Sequence, residues 1–334
     1  MHFHSLAAAL LLTVLHVPAQ AAFSSLGILG DSLSDTGRLA QATSGATFGL
    51  FSVPRDPYFP GHFSNGPVWV EYYAATHPGI NIGNAAMGGA FSGVINGRDN
   101  AGDDELGAVP FLGGSLANAA SGLNTQLPLV PNVTGTNTAF VLWIGANDIN
   151  SALSIGFANP QDVVPTSLGN IDNAISTLLS LGASEIYVGN LPDLGRTPSG
   201  ISSGRATDLT AATLDFNNGL VNLVAGAGAQ VHLVDLFTPF NALLANAGAL
   251  GYTDTTTPCV DGLLDSSACA NPDAHLFWDT IHPTTGVHAM IAGVFADSFE
   301  ITPIPVPASG LLLLPASAWL LTRRRTRRAG RAAA

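Results

Sequence analysis

The chain contains no lysine, and charged residues of all kinds make up only 10% of its 334 positions. All eleven basic residues are arginines, and six of them (Arg323, Arg324, Arg325, Arg327, Arg328 and Arg331) crowd the last dozen residues. The other five face 23 acidic residues. A body so poor in positive charge repels phosphate backbones, which argues against nucleic acid as a partner. Cysteine is scarce too: Cys259 and Cys269 stand ten positions apart in the polar segment CVDGLLDSSAC. That spacing does not fit a zinc knuckle; in an oxidising compartment the pair closes a small disulfide loop, in a reducing one it stays as two thiols. There is no H-E-x-x-H and no phosphate-binding glycine loop, and Ser32 does not sit in a G-x-S-x-G elbow, because position 34 is Ser. The acidic run DNAGDDELG at 99–107 lacks the ligand spacing of an EF-hand and reads as a solvated loop. What the chain does have is 47% hydrophobic residues, enough for a large core and too many for a disordered chain.

Both ends read as targeting segments. Residues 1–22 hold an apolar run from Leu6 to Val17 and an A-x-A site at Ala19-Gln20-Ala21, which predicts a secretory signal even though the extreme N-terminus offers His2 and His4 rather than Arg or Lys. Residues 301–334 open on a Pro-rich stretch, continue through an apolar segment from Val306 to Leu321 interrupted by Pro315, and end in the Arg cluster. That segment is near the lower length limit of a membrane span, and the arginines behind it would stay cytoplasmic. The tail resembles the PEP-CTERM class of bacterial sorting signals, near its VPLPA-like variant, with Val306-Pro307-Ala308-Ser309 in the signature position. The resemblance implies a Gram-negative envelope or extracellular protein, first anchored by its tail and then handled by an exosortase-type protease. A plain C-terminal anchor is the alternative.

Between the tails, residues 23–300 alternate strand-like and helix-like segments without repeats or long linkers. Short apolar runs at Phe23–Leu29, Gly79–Asn84, Ala139–Ile144, Glu185–Asn190 and Gln230–Asp235 predict buried strands. Helical spacing marks 67–78, 164–181, 208–225 and 284–299. Right-handed crossovers then give a three-layer α/β/α sandwich around a parallel sheet. Residues 40–66 and 91–122, rich in Gly, Ser and Asn, predict loops over the carboxyl ends of the strands, where such folds bind ligands. Their aromatics, among them Phe48, Phe51, Tyr58, Phe59, Phe63, Phe91 and Phe111, are candidates for an acyl site or for lid packing.

Four polar groups fall at that same edge: Ser32 after the first run, Gly88-Gly89 after the second, Asn147-Asp148 after the third, and Asp279 with His282 before the last helix. Acyl transfer needs this combination. A serine hydroxyl becomes a nucleophile when a base takes its proton, a role open to His282. Asp279, three residues earlier, can fix the imidazole tautomer and stabilise the imidazolium. The backbone amides of Ser32 and Gly88 and the side-chain amide of Asn147 are candidate donors to the oxyanion. Asp31 and Asp35 read as turn braces, Asp148 as a tie for the active-site loop, and His62, His275 and His288 as structural or surface residues.

The segments Gly30-Asp31-Ser32-Leu33-Ser34-Asp35-Thr36-Gly37, the glycine of NAAMGGA, Gly145-Ala146-Asn147-Asp148 and Asp279-Thr280-Ile281-His282 resemble the blocks of the GDSL esterase/lipase (SGNH hydrolase) family. Supporting stretches are GHFSNGPVWVEYYA, NLPDLGRTP and FNNGL. The resemblance spans residues 25–298. It implies a flavodoxin-like, five-stranded parallel sheet, Ser32 as nucleophile, Asp279 and His282 completing the triad, and Gly88 and Asn147 completing the oxyanion hole. Neither metal nor organic cofactor is called for. The expected activity is an exported serine hydrolase acting on carboxylic esters, whether lipid, short-chain acyl or acetylated sugar. An acyltransferase or a polysaccharide acetylesterase would use the same residues, and a non-enzymatic envelope protein would have no use for them.

Overall fold

The five apolar runs form five parallel strands: β1 (Ser25–Gly30), β2 (Asn81–Asn84), β3 (Thr138–Trp143), β4 (Glu185–Gly189) and β5 (Val231–Val234), in the spatial order β2-β1-β3-β4-β5. Nine α-helices accompany them: α1 (Arg38–Ala46), α2 (Trp69–Thr76), α3 (Leu123–Gln126), α4 (Ala146–Ser151), α5 (Val164–Ser180), α6 (Pro198–Ser202), α7 (Ala206–Ala227), α8 (Phe237–Ala245) and α9 (Thr285–Glu300). The computed structural model describes residues 23–93, 122–130, 137–152, 156–262 and 267–300, and these lists hold among them. The leader 1–22, the tail 301–334 and the acidic run 99–107 lie outside the described residues. Phe23–Phe299 form one compact unit. No helix among the described residues is long and apolar enough to cross a membrane.

Burial explains why these strands read as continuous apolar runs. All six residues of β3 are buried, as are the last five of β1, because helices cover the sheet on both faces; the edge strand β2 has no fully buried residue. The chain moves from β1 to β2 on one side, then jumps back to β3 and continues outward. Right-handed crossovers running in opposite directions place α2 on one face and α5 and α7 on the other. Face one is closed by an aromatic stack: Trp69 of α2 lies on Phe295 of α9 at 4.0 Å, and Phe295 and Phe299 reach Trp143 and Tyr187 of the sheet.

Five of the nine helices escape the sequence pattern: the short α3, α4 and α6, and the nine-residue α1 and α8. The expected loop 40–66 begins inside α1, which runs from Arg38 to Ala46. Asp35 organises its first turn by accepting the N–H groups of Gly37, Arg38 and Leu39 at 2.9, 2.6 and 3.1 Å. The capping group thus sits outside the helix start, and only Leu39 and Thr43 of the helix are buried, so little periodicity shows. Helix α8 hides behind Pro239, which lies in its first turn, where no N–H is needed.

The strand order reverses between β1 and β3. Loops leaving their carboxyl ends diverge there and leave a crevice. Ser32 follows β1 and Asn147 follows β3, so the candidate residues flank that crevice. Gln126 of α3 finishes the end of β1: its side-chain oxygen accepts Gly30 N–H and its amide donates to Gly30 C=O, both at 2.8 Å. This buried pairing fixes the strand end that presents Ser32.

Candidate active site

Ser32, His282 and Asp279 meet, although 250 residues separate the first two. The Ser32 Oγ is 2.7 Å from His282 Nε2, and His282 Nδ1 is 2.6 Å from Asp279 Oδ2. All three residues are buried, with 6%, 3% and 3% exposure. The Asp279 carboxylate also accepts the backbone N–H groups of Ile281 and His282 on Oδ1, at 2.9 and 2.7 Å. This Asx-type turn, closed by Trp278 N–H to His282 C=O at 2.8 Å, holds acid and base in one frame. The 58–67 segment clamps that turn: Ser64 Oγ donates to Pro283 C=O at 2.9 Å and Asn65 Oδ1 accepts Thr285 N–H at 2.8 Å.

Burial acts against the charged form of every carboxylate here, and local partners decide the outcome. Burial raises Asp279, but the His282 charge and hydrogen bond, with the two backbone donors, bring it below its ordinary range. Asp31, buried with fewer donors, is pushed up to about 6. Burial also raises Asp35 and Asp148. Asp148 ties the loop after β2 to the end of β3, accepting Ser92 N–H at 3.0 Å and the Ser167 hydroxyl at 2.7 Å. Asp31 accepts Leu33 N–H at 3.0 Å. His62 pairs with Glu71 at 3.0 Å; His288 is wholly enclosed, and burial lowers it to about 3.

Asn147 begins the second half of the site. Its helix α4 starts after Gly145, whose φ of 116° is open to glycine, and a Cβ there would also strike the Phe216 ring. One amide hydrogen of Asn147 is donated to Ala90 C=O at 2.9 Å, which leaves the second for another acceptor. Asn147, Ser32 and His282 all line one cleft.

Gly88 departs from the expectation. Its N–H donates to Asp35 Oδ2 at 2.8 Å and so is not free for an oxyanion. The glycine is required for a different reason: a Cβ would run into the ring of Phe63, which packs 5.0 Å from the His282 imidazole. The next residue, Gly89, has φ 77°, and among the described residues no acceptor meets its N–H.

The cleft holds about 610 Å³ of empty space, part of it open to solvent, and is lined by Leu33, Leu194, Phe240, Phe277, Ile281 and Ile291. None of these was singled out from the sequence as lining for an acyl site. Of the aromatics that were candidates for an acyl site or for lid packing, Tyr58 and Phe63 are buried in a cluster with Leu39, Met87 and Trp278 rather than along the cleft, and Phe48 is 96% exposed. Phe111 lies outside the described residues. Cys259 and Cys269 are joined in a disulfide.

A serine, an imidazole and a carboxylate linked in series at the switch point of a parallel sheet, facing an apolar cleft, define a nucleophilic hydrolase or acyltransferase site. The profile of GDSL-like lipases and acylhydrolases matches residues 26–295, and the chain belongs to that family of esterases and lipases. It is 29% identical to a phosphatidylcholine-sterol acyltransferase of Aeromonas hydrophila, over 86% of this chain and 94% of that one. It is 28% identical to a thermolabile hemolysin of Vibrio parahaemolyticus over 81% of this chain, spanning 62% of the hemolysin. An extracellular lipase from Streptomyces rimosus superposes with a TM-score of 0.48 at 16% identity, over 82% of this chain and 99% of the lipase.

Proposed function

We propose that the protein is an exported serine hydrolase that cleaves carboxylic esters through an acyl-enzyme at Ser32. The observation that carries this reading is the 2.7 Å contact between Ser32 Oγ and His282 Nε2. His282 takes the Ser32 proton as the hydroxyl oxygen attacks the ester carbonyl. The imidazolium formed is stabilised by Asp279 and returns the proton to the departing alkoxide. Water, deprotonated by the same imidazole, then releases the acid. The tetrahedral oxyanion is met by the Ser32 N–H, the second amide hydrogen of Asn147 and, in place of Gly88, the N–H of Gly89. The apolar cleft receives the acyl group.

A second reading has a specific basis. The Aeromonas relative is named an acyltransferase, and an acyl-enzyme of this kind is discharged by an alcohol in place of water when the alcohol occupies the site. Export is supported by the leader-like residues 1–22 and by the Cys259–Cys269 disulfide. Residues 301–334 are proposed as a sorting or anchor tail in a Gram-negative envelope, processed by an exosortase-type protease; the mass of protein recovered from the envelope reads whether they are retained.

Hydrolysis of p-nitrophenyl esters from acetate to palmitate tests the enzymatic reading, with Ser32→Ala alongside. The variant is expected to lose about 10³-fold or more in kcat. Equal rates for both proteins would remove Ser32 from the mechanism. Product analysis with an added alcohol separates hydrolysis from transacylation.

A further inference from the structure

We infer that Tyr58 is a positioning residue for the Asp279–His282 pair. The inference rests on the triad proposed above and extends it by one member from a distant loop. The Tyr58 hydroxyl donates to Asp279 Oδ2 at 2.8 Å. That oxygen is the one facing His282 Nδ1, whereas Oδ1 is occupied by the two backbone N–H groups of its own turn. The two carboxylate oxygens are therefore loaded differently. One is held by the local turn, the other is shared between the imidazole and a phenol brought from residue 58, which is 221 positions away in sequence.

Packing fixes where the phenol can reach. Tyr58 is 3% exposed, and its ring stands edge-on to Trp278, the residue before Asp279, at 5.8 Å and 89°. Val53, Cys259 and Val260 complete the enclosure. A buried carboxylate needs donors to stay charged, and a donor on Oδ2 both supports that charge and stops the carboxylate rotating away from Nδ1. The same donor draws charge away from Oδ2. Without it, Oδ2 presents more negative charge to the imidazole and favours the imidazolium of the resting enzyme. The other groups that face His282 are Asp31, from the turn after β1, and His288, from α9; the Tyr58 substitution leaves both in place.

Tyr58→Phe in the full chain removes only the hydroxyl and keeps the ring against Trp278. With a short p-nitrophenyl ester, kcat on the pH plateau is expected to fall about tenfold, with KM within about twofold of the parent. The acid limb of kcat/KM is expected to move to higher pH. The proton NMR resonance of His282 Nδ1–H, assigned by its loss in Asp279→Asn, is expected to shift, and this readout needs no substrate. If kcat falls but limb and resonance coincide with the parent, the hydroxyl acts other than through the Asp279–His282 pair and the inference is overturned. It is equally overturned if nothing changes. If the parent is inert on esters while the resonance moves in Tyr58→Phe, the esterase reading fails and the positioning role of Tyr58 stands.

Discussion

The ring of Phe63 occupies the space that a Cβ on Gly88 would need, and from there it packs on the imidazole of His282. The glycine in the NAAMGGA segment is thus tied to His282 through an aromatic side chain. Its N–H, held by Asp35, anchors the turn that carries Ser32 to the loop after β2.

Gly88→Ala is expected to push Phe63 toward His282. Overpacking of this kind destabilises by about 1–3 kcal/mol. Urea unfolding should show that loss, and kcat/KM on a short ester should fall about tenfold or more as the imidazole is displaced. Replacing Phe63 with Leu in the same protein makes room for the methyl group and should return part of the stability. An unchanged Gly88→Ala protein would show that Phe63 moves aside freely.

Asn147→Ala is expected to lower kcat by about 10²–10³-fold with a small change in KM, the pattern of a donor that matters mainly in the transition state. Asn147→Asp should be at least as impaired, because a carboxylate offers no donor to Ala90 C=O and repels a developing oxyanion. Steady-state kinetics at neutral pH decide it; a variant that raised KM alone would place Asn147 in ground-state binding.

His288 gives the fold a dependence on pH. It is fully buried in α9, neither ring nitrogen has a hydrogen-bond partner among the described residues, and burial, aided by the charges of His282 and His62, lowers it to about 3. Its folded pKa thus lies below the unfolded value of 6.5. Below that pH the unfolded chain binds a proton that the native state refuses, so stability declines as pH falls from 6.5 toward 3. At pH 5 the contribution is about 2 kcal/mol. His288→Leu removes it. Urea unfolding should show the variant gaining on the parent by about that amount between pH 7.5 and pH 5. A pH-independent difference would mean that His288 titrates normally.

The Cys259–Cys269 disulfide braces the segment that leads into Asp279. Cys259 N–H donates to Phe277 C=O at 3.2 Å and Val260 N–H to Trp278 C=O at 2.7 Å. Replacing both cysteines with serine should reduce stability by about 2–3 kcal/mol and lower kcat more than KM. Thermal unfolding and kinetics, each with and without reductant, test this. Reductant should reproduce the double variant in the parent and leave the variant unchanged.

Much of this was legible in the chain itself. Short runs of six or seven residues marked all five strands, most plainly β1 and β3, which are covered on both faces and so apolar nearly throughout, and helical spacing marked α2, α5, α7 and α9. The turn chemistry of Asp31 and Asp35, and the short Asp279–His282 segment, were visible because their partners lie within a few residues. What the sequence could not show is what depends on distant groups. Helix α1 is capped by a carboxylate outside it, and α8 carries a proline that reads as a break. The amide of Gly88, chosen as an oxyanion donor by its place in a motif, is taken by Asp35, 53 residues earlier. Tyr58 and Phe63 read as ordinary loop aromatics until folding brings one under Asp279 and the other against His282. Local spacing determines elements and short-range pairs, since those interactions repeat along the chain; contacts across 50 to 250 residues leave no period behind, and here they decide what meets His282 and Asp279 beyond their own turn.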